Sequence, residues 1–161
     1  MKIICCFLLC SLMMAGCGTQ ETFETVADEM VLTVMAQPAE IAVRLPDNAV
    51  APVLESDKRQ LYMSENYEIL IETMESGDLN ATIQTLSGYE KDQLTVMQTE
   101  TDQATRYEFV WACAGEKGHR LGRAVVLDDG NYHYCLSVLR DDTQEKSQIV
   151  WSDVFASFTL V

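Results

Sequence analysis

The segment from Thr105 to Leu139 constrains the fold most, because it reads as three strands joined by two tight turns. The turn signals are residues 115–118 (GEKG) and 128–131 (DDGN), whose glycines permit the chain reversals of hairpins. Between these turns the apolar residues alternate with a period of two, which is typical of strands. The segment therefore predicts a three-strand antiparallel meander.

The register of this meander follows from the lengths of its turns. Four-residue loops pair Ala114 with His119 in the first hairpin and Leu127 with Tyr132 in the second. Alternation then sorts the strand residues onto two faces: Tyr107, Phe109, Trp111, Cys113, Ala124, Val126 and Cys135 on one, and Val110, Ala112, Leu121, Val125, Leu127, Tyr134, Leu136 and Val138 on the other. Both sets are apolar, so we expect the sheet to be covered on both sides.

Three helices are predicted to provide this cover. The first spans about 22–34, where apolar residues recur at helical spacing. The second begins after Asp78, whose carboxylate can accept first-turn amide protons, and ends at Gly88. The third begins at Asp142, with Glu145 as a capping-box partner, and carries the apolar stripe Val150, Trp151, Val154, Phe155 and Phe158.

The remaining strands are predicted upstream of the meander. Residues 41–45 alternate and precede a turn at 46–48, and a hairpin follows with strands 59–63 and 67–74 joined by residues 64–66. The fold class is then α+β: an antiparallel β-sheet, including a three-strand meander, covered by helices on both faces. We assign it to a single domain over 23–161.

The N-terminal residues have the order of a secretory signal, with Lys2 before an apolar run at 3–14. This run is too short to cross a bilayer, which takes roughly 20 apolar residues. The motif that follows, Met14-Ala15-Gly16-Cys17, resembles the lipobox of bacterial lipoprotein precursors, with Met14 where that family usually has leucine. An ordinary secretory signal is the alternative.

The lipobox resemblance implies a cellular location and a lipid anchor. Residues 1–16 would be a lipoprotein signal peptide, Cys17 would be diacylglyceryl-modified, and 17–22 would form a lipid-anchored tether. The protein would then sit at the cell membrane or cell envelope, on the extracytoplasmic face, with the membrane as its partner through Cys17. The order of elements over about 39–160 also resembles the PsbP-like family, which implies an accessory or assembly role.

The charge balance argues against nucleic acid as a partner. The chain carries 25 Asp and Glu against 11 Lys and Arg, a formal charge of -14, and loss of Lys2 with the signal would make it -15. Such an acidic chain disfavours nucleic acid. It leaves room for a protein partner that the sequence does not identify.

A metal site is suggested by Cys113, His119, His133 and Cys135, whose types suit zinc. The predicted register argues against it, since His119 points to the opposite face from the other three residues. Cys113 and Cys135 would also lie two strands and four residues apart, roughly 16 Å. We therefore expect no metal, no cofactor and two free thiols. The turn at 128–131 lacks the spread of acidic ligands that a calcium loop needs.

Three functional hypotheses remain open. The first is a lipid-anchored, non-enzymatic binding or accessory module, favoured because no catalytic set is visible. The second is a small-ligand binder with an aromatic pocket built from Tyr62, Tyr67, Tyr132 and Tyr134. The third is a hydrolase using His133, which requires an acid or a nucleophile within about 3 Å of its ring.

Overall fold

The computed structural model describes residues 36–115, 118–141 and 147–161. The predicted signal peptide, Cys17, the tether and the predicted helix at 22–34 lie outside these residues. So do the predicted caps Asp142 and Glu145. Residues Ala36–Val161 form one compact unit.

The described residues form a seven-stranded antiparallel sheet, a two-stranded sheet, two α-helices and one 3-10 helix. The elements in chain order are β1 (Ile41–Ala42), β2 (Leu54–Ser56), β3 (Arg59–Met63), β4 (Tyr67–Glu75), α1 (Leu79–Ser87), a 3-10 helix (Lys91–Gln93), β5 (Met97–Glu100), β6 (Thr105–Gly115), β7 (Gly118–Asp128), β8 (Tyr132–Asp141), α2 (Ser147–Ser157) and β9 (Thr159–Leu160). The large sheet has the order β2-β3-β4-β8-β7-β6-β5, and β1 pairs with β9. Neither described helix is long and apolar enough to cross a membrane.

The predicted meander is confirmed as β6, β7 and β8, and its first hairpin has the predicted register, with Ala114 opposite His119. The register predicted for the second hairpin is wrong by two residues, since Leu127 pairs with Tyr134. Asp129 closes a tighter turn than predicted: its amide donates to the Tyr132 carbonyl at 3.2 Å, and its carboxylate accepts from the Tyr132 amide at 2.7 Å. Gly130 supplies the left-handed backbone, with φ +89°, that such a tight turn requires.

The predicted division of the meander into two apolar faces is confirmed, because a shift of two residues preserves side-chain direction. Phe109, Trp111, Ala124, Val126 and Cys135 form one buried cluster together with Ile83 of α1. The other face buries a larger cluster, which includes Val125, Leu127, Tyr134, Leu136 and Val138 from the meander and Trp151, Val154, Phe155 and Phe158 from the α2 region.

The predicted fold class is wrong, because helices do not form the cover on both faces. The described chain is mostly β-sheet, and its helices are short, with nine residues in α1 and eleven in α2. On the α2 side, much of the cover is an extended segment that contributes Ala39, Ile41, Val43, Leu45 and Ala49. On the α1 side, the loop and 3-10 region add Tyr89, Leu94 and Val96.

Tyrosine hydroxyl groups let the extended segment lie over the sheet. The Tyr132 hydroxyl donates to the Ala36 carbonyl at 2.7 Å, and the Tyr134 hydroxyl accepts from the Ala39 amide at 2.8 Å. These bonds satisfy backbone groups that a helix would satisfy internally. The predicted strand at 41–45 is correspondingly short, since only Ile41 and Ala42 pair with β9.

The predictions for the β3–β4 hairpin and for the ends of α1 agree with the structure. The hairpin of β3 and β4 has its predicted loop, where the Ser64 amide donates to the Tyr67 carbonyl at 2.9 Å. Helix α1 begins after Asp78, whose carboxylate accepts from the Asn80 amide at 3.0 Å, and ends at Gly88, with φ +79°.

Arg106 fixes the end of α2 on the sheet. Its guanidinium donates to the carbonyls of Phe155, at 2.8 Å, and Phe158, at 3.1 Å. A cation at this position also complements the negative end of the helix dipole. The aromatic side chains of the helix end are thereby held against the buried face.

Candidate functional site

A groove lies between α2 and the outer part of the meander. Strand pairing places two rows of side chains on this face: Val110, Arg123 and Val138 in one row, and Ala112, Leu121 and Arg140 in the next. Trp151, Ser152 and Phe155 of α2 form the opposing wall, and Trp111 and Gly122 complete the lining. The cavity measures ≈ 570 Å³, which lies within the range of about 300–1,000 Å³ for small-molecule sites.

The groove has a packed apolar floor and an open apolar rim. Phe155 is 1% exposed and Val138 is 2% exposed, so both belong to the core. Val110 is 62% exposed and stands on the rim. Exposed apolar surface next to an indentation is a common property of sites that bind apolar ligands.

Arg140 is one positively charged residue of the groove lining, and Arg123 is another. Its guanidinium carbon lies 4.4 Å from the centre of the Phe155 ring, in cation–π contact, and its Nη2 donates to Glu108 at 2.8 Å. Arg106 Nε donates to the other oxygen of Glu108, also at 2.8 Å. Burial opposes ionisation of Glu108, but these two arginines outweigh it and hold the pKa of that carboxyl below its usual value.

The four tyrosines proposed for an aromatic pocket do not line this groove. Tyr67, Tyr132 and Tyr134 belong to the buried core, where Tyr67 donates to Asn48 at 2.9 Å. Tyr134 donates to the Asp129 carboxylate at 2.8 Å, and burial together with this neighbour raises its pKa to about 12. Tyr62 is half-buried against the same core. Tyr67, Tyr132 and Tyr134 hold the extended segment and the tight turn in place.

His133 is surrounded by polar groups that the sequence did not reveal as its neighbours. Thr82 Oγ1 of α1 lies 2.8 Å from Nδ1, while Ser76 Oγ lies 3.4 Å and Asp128 Oδ2 lies 3.6 Å from Nε2. A hydroxyl and a carboxylate on opposite sides of an imidazole are the parts that a hydrolase needs.

Burial of this cluster favours a structural role. His133 is 0% exposed and Thr82 is 5% exposed, so both are buried where α1 contacts the sheet. A nucleophile must contact a substrate carbonyl, whereas the Thr82 oxygen faces the ring of His133 and the sulfur of Met74. The arrangement pairs a buried histidine with hydrogen-bonding partners, as buried polar groups require.

The structure does not bring together the four residues considered for a metal site. Cys113 pairs with Arg120 while Cys135 pairs with Val126, so the two cysteines lie six residues apart along β7 instead of four. Their separation is then roughly 22 Å. Both are free thiols, and burial raises the pKa of Cys135. Among the described residues, no group of three or more potential ligands could hold a metal ion.

Sequence reasoning missed Arg123 as a site residue. Its position between Leu121 and Val125 already places it on the α2 face of β7, by the same alternation that sorted the apolar residues. The second hairpin's predicted register, however, set it opposite Leu136 instead of Val138. The row that forms the groove was therefore not apparent.

Comparison with known proteins adds little to this description. No family model matches the sequence, and no curated protein matches it. One similar solved structure is the crystal structure, at 1.50 Å resolution, of a protein from Bacteroides thetaiotaomicron VPI-5482. Sequence identity is 8% and the TM-score is 0.49, with 75% of this chain and 45% of that chain covered. The chain thus spans less than half of that structure's length, and a likeness at this TM-score supports no conclusion about function.

Proposed function

We propose that this protein is a lipid-anchored, non-enzymatic binding module on the extracytoplasmic face of a cell membrane or envelope, and that it binds a small apolar ligand in the groove beside α2. The observation that carries the proposal is the groove itself. Its lining includes the aromatic residues Trp151 and Phe155, its rim exposes Val110, and its volume suits a small molecule.

The anchor rests on the N-terminal sequence. The motif at 14–17 follows a short apolar run and a lysine, and a lipidated Cys17 would hold the module at a membrane surface. Labelled palmitate should be incorporated into the wild-type precursor, and Cys17→Ala should abolish incorporation. Membrane retention without label would contradict the anchor.

The binding role is tested with a neutral apolar dye. Nile red should bind the full chain carrying Cys17→Ala, and its fluorescence should rise. Val110→Asn should weaken binding by about fivefold or more, because contact between a valine and a ligand contributes about 1 kcal/mol or more.

Val53→Asn is the matched control, since Val53 is 61% exposed, against 62% for Val110, and lies outside the groove. Its dye affinity should equal that of the parent protein. Equal losses in both variants, or no dye binding at all, would contradict a ligand site in the groove.

A further inference from the structure

We infer that the groove takes a small monoanionic amphiphile, an apolar chain ending in one carboxylate, with the carboxylate bound to Arg123. This inference rests on the proposed binding function and names its ligand class. Arg123 lies between Val110 and Val138 on the sheet, so a charged head and an apolar chain would both be accommodated.

The charged residues around the groove favour a negatively charged head group. Arg106 and Arg123 both donate to the single carboxylate of Glu108, which leaves one unit of positive charge in this group of three. Among the described lining residues none is acidic and Arg140 is a second arginine, although Asp and Glu outnumber Lys and Arg by 25 to 11 in the chain. One carboxylate would balance the group formed by Arg106, Arg123 and Glu108.

The guanidinium of Arg123 is oriented for this contact. Its carbon lies over the Phe155 ring, 4.4 Å from the ring centre, and its hydrogen bond within the described residues uses Nη2 toward Glu108. The side chain remains 35% exposed, so its other nitrogens are open to a second partner. A planar fork held in this way suits a carboxylate, which arginine binds more specifically than lysine does.

The apolar chain has a surface that continues from the arginine. Ala112 and Leu121, in the row that ends at Arg140, stand two residues further along β6 and β7, about 7 Å from the row of Arg123. Trp151 and Phe155 face them from α2. A ligand with its head at Arg123 would therefore lay its chain between the sheet and the helix.

The test compares three probes with ten carbon atoms each: decanoate, decan-1-ol and decyl phosphate. Binding to the full chain carrying Cys17→Ala is measured by titration calorimetry at neutral pH. Decanoate should bind about tenfold more tightly than decan-1-ol, as expected for a charged hydrogen-bonded pair. Arg123→Gln should remove this difference and leave the affinity for decan-1-ol unchanged.

The controls separate local from general effects. Arg59→Gln removes a different arginine, one that lies 3.9 Å from Glu72 across a strand pair and outside the groove, and it should change nothing. Arg123→Lys keeps the charge without the fork and should give an intermediate affinity for decanoate. A thermal melt of each variant establishes that it is folded before titration.

Several outcomes would overturn the inference. Equal affinity for decanoate and decan-1-ol would refute the role of the carboxylate while leaving the groove as an apolar site. Tighter binding of decyl phosphate would assign a different head group, and an equal loss in Arg59→Gln would indicate unspecific attraction. Failure of all three probes while Nile red still binds would refute the inference alone, and failure of Nile red as well would refute the proposed function.

Discussion

The close approach of Trp111 to Gly122 makes a sharp test of how the α1 face of the sheet is packed. The two residues are paired across β6 and β7, and a Cβ on Gly122 would lie 2.0 Å from Cε2 and 2.3 Å from Cζ2 of the indole. Ordinary carbon contacts are about 3.5–4.0 Å. Gly122→Ala therefore requires the indole, which is only 8% exposed, to move away from its neighbours.

Two opposing effects determine the size of the change. Overpacking a well-filled site costs about 1–3 kcal/mol. Replacing glycine by alanine within a strand returns about 0.5–1 kcal/mol, because the unfolded chain loses freedom. The expected net result is a loss of about 1–2 kcal/mol in the free energy of unfolding, measured by urea denaturation followed by circular dichroism.

The same substitution in a Trp111→Leu variant tests whether contact with the indole causes this loss. In Trp111→Leu the indole is absent, so Gly122→Ala should be neutral or stabilising, and the double-mutant cycle should give a coupling energy of about 1–3 kcal/mol. If Gly122→Ala has the same effect in both backgrounds, the indole is not what the new methyl group meets. The reasoning from the close approach would then be refuted.

Three further predictions test the core, the turn and the thiols. Phe155→Ala should cost about 3–5 kcal/mol and lower the melting temperature by about 10 °C or more, while the exposed control Asp153→Ala should melt with the wild type; if both do so, the aromatic stripe is an interaction surface instead. Burial disfavours the charged form of Asp129, but hydrogen bonds outweigh it and lower the pKa below the ordinary value of 3.8. The resulting stability is present above about pH 4 and is lost as the pH falls through the folded pKa, so Asp129→Asn should show a shallower acid loss than the wild type. Cys135 should resist alkylation in the folded protein, whereas Cys113 and Cys135 should both be alkylated after denaturation. Detection of a disulfide-linked Cys113–Cys135 peptide by mass spectrometry would contradict two free thiols.

The sequence predicted those features that depend on near neighbours. The alternation around Phe109 and Ala124 set the faces of the meander, and the residues at the ends of α1 set its bounds. The turn after Asp128 was harder, because loops that differ by two residues leave every side chain on the same face. Alternation alone therefore cannot distinguish the two registers, and it was the Asp129 carboxylate that selected the tighter turn.

The features that the sequence did not predict depend on long-range contacts. The extended cover over the sheet depends on the Tyr132 and Tyr134 hydroxyl groups, whose partners lie more than 90 residues away along the chain. The groove depends on Arg123 lying opposite Val138 in the pairing of β7 with β8, whose predicted register was wrong by two residues. Neither contact leaves a local pattern in the sequence, so a helical cover and a tyrosine pocket were predicted in their place.

The order of the large sheet places its two shortest strands, β2 and β5, at its edges, and this has a consequence for aggregation. An open sheet presents unpaired backbone groups along each edge, and long apolar edges recruit other sheets. Here the edges have three and four residues, all exposed, and each carries a carboxylate, Glu55 on β2 and Glu100 on β5. Hydrogen bonds from Gln98 and Thr105 lower the pKa of Glu100, which keeps that edge charged into mildly acidic solution. Short length and like charge thus oppose edge-to-edge growth at Leu54 and Met97, where apolar side chains are exposed.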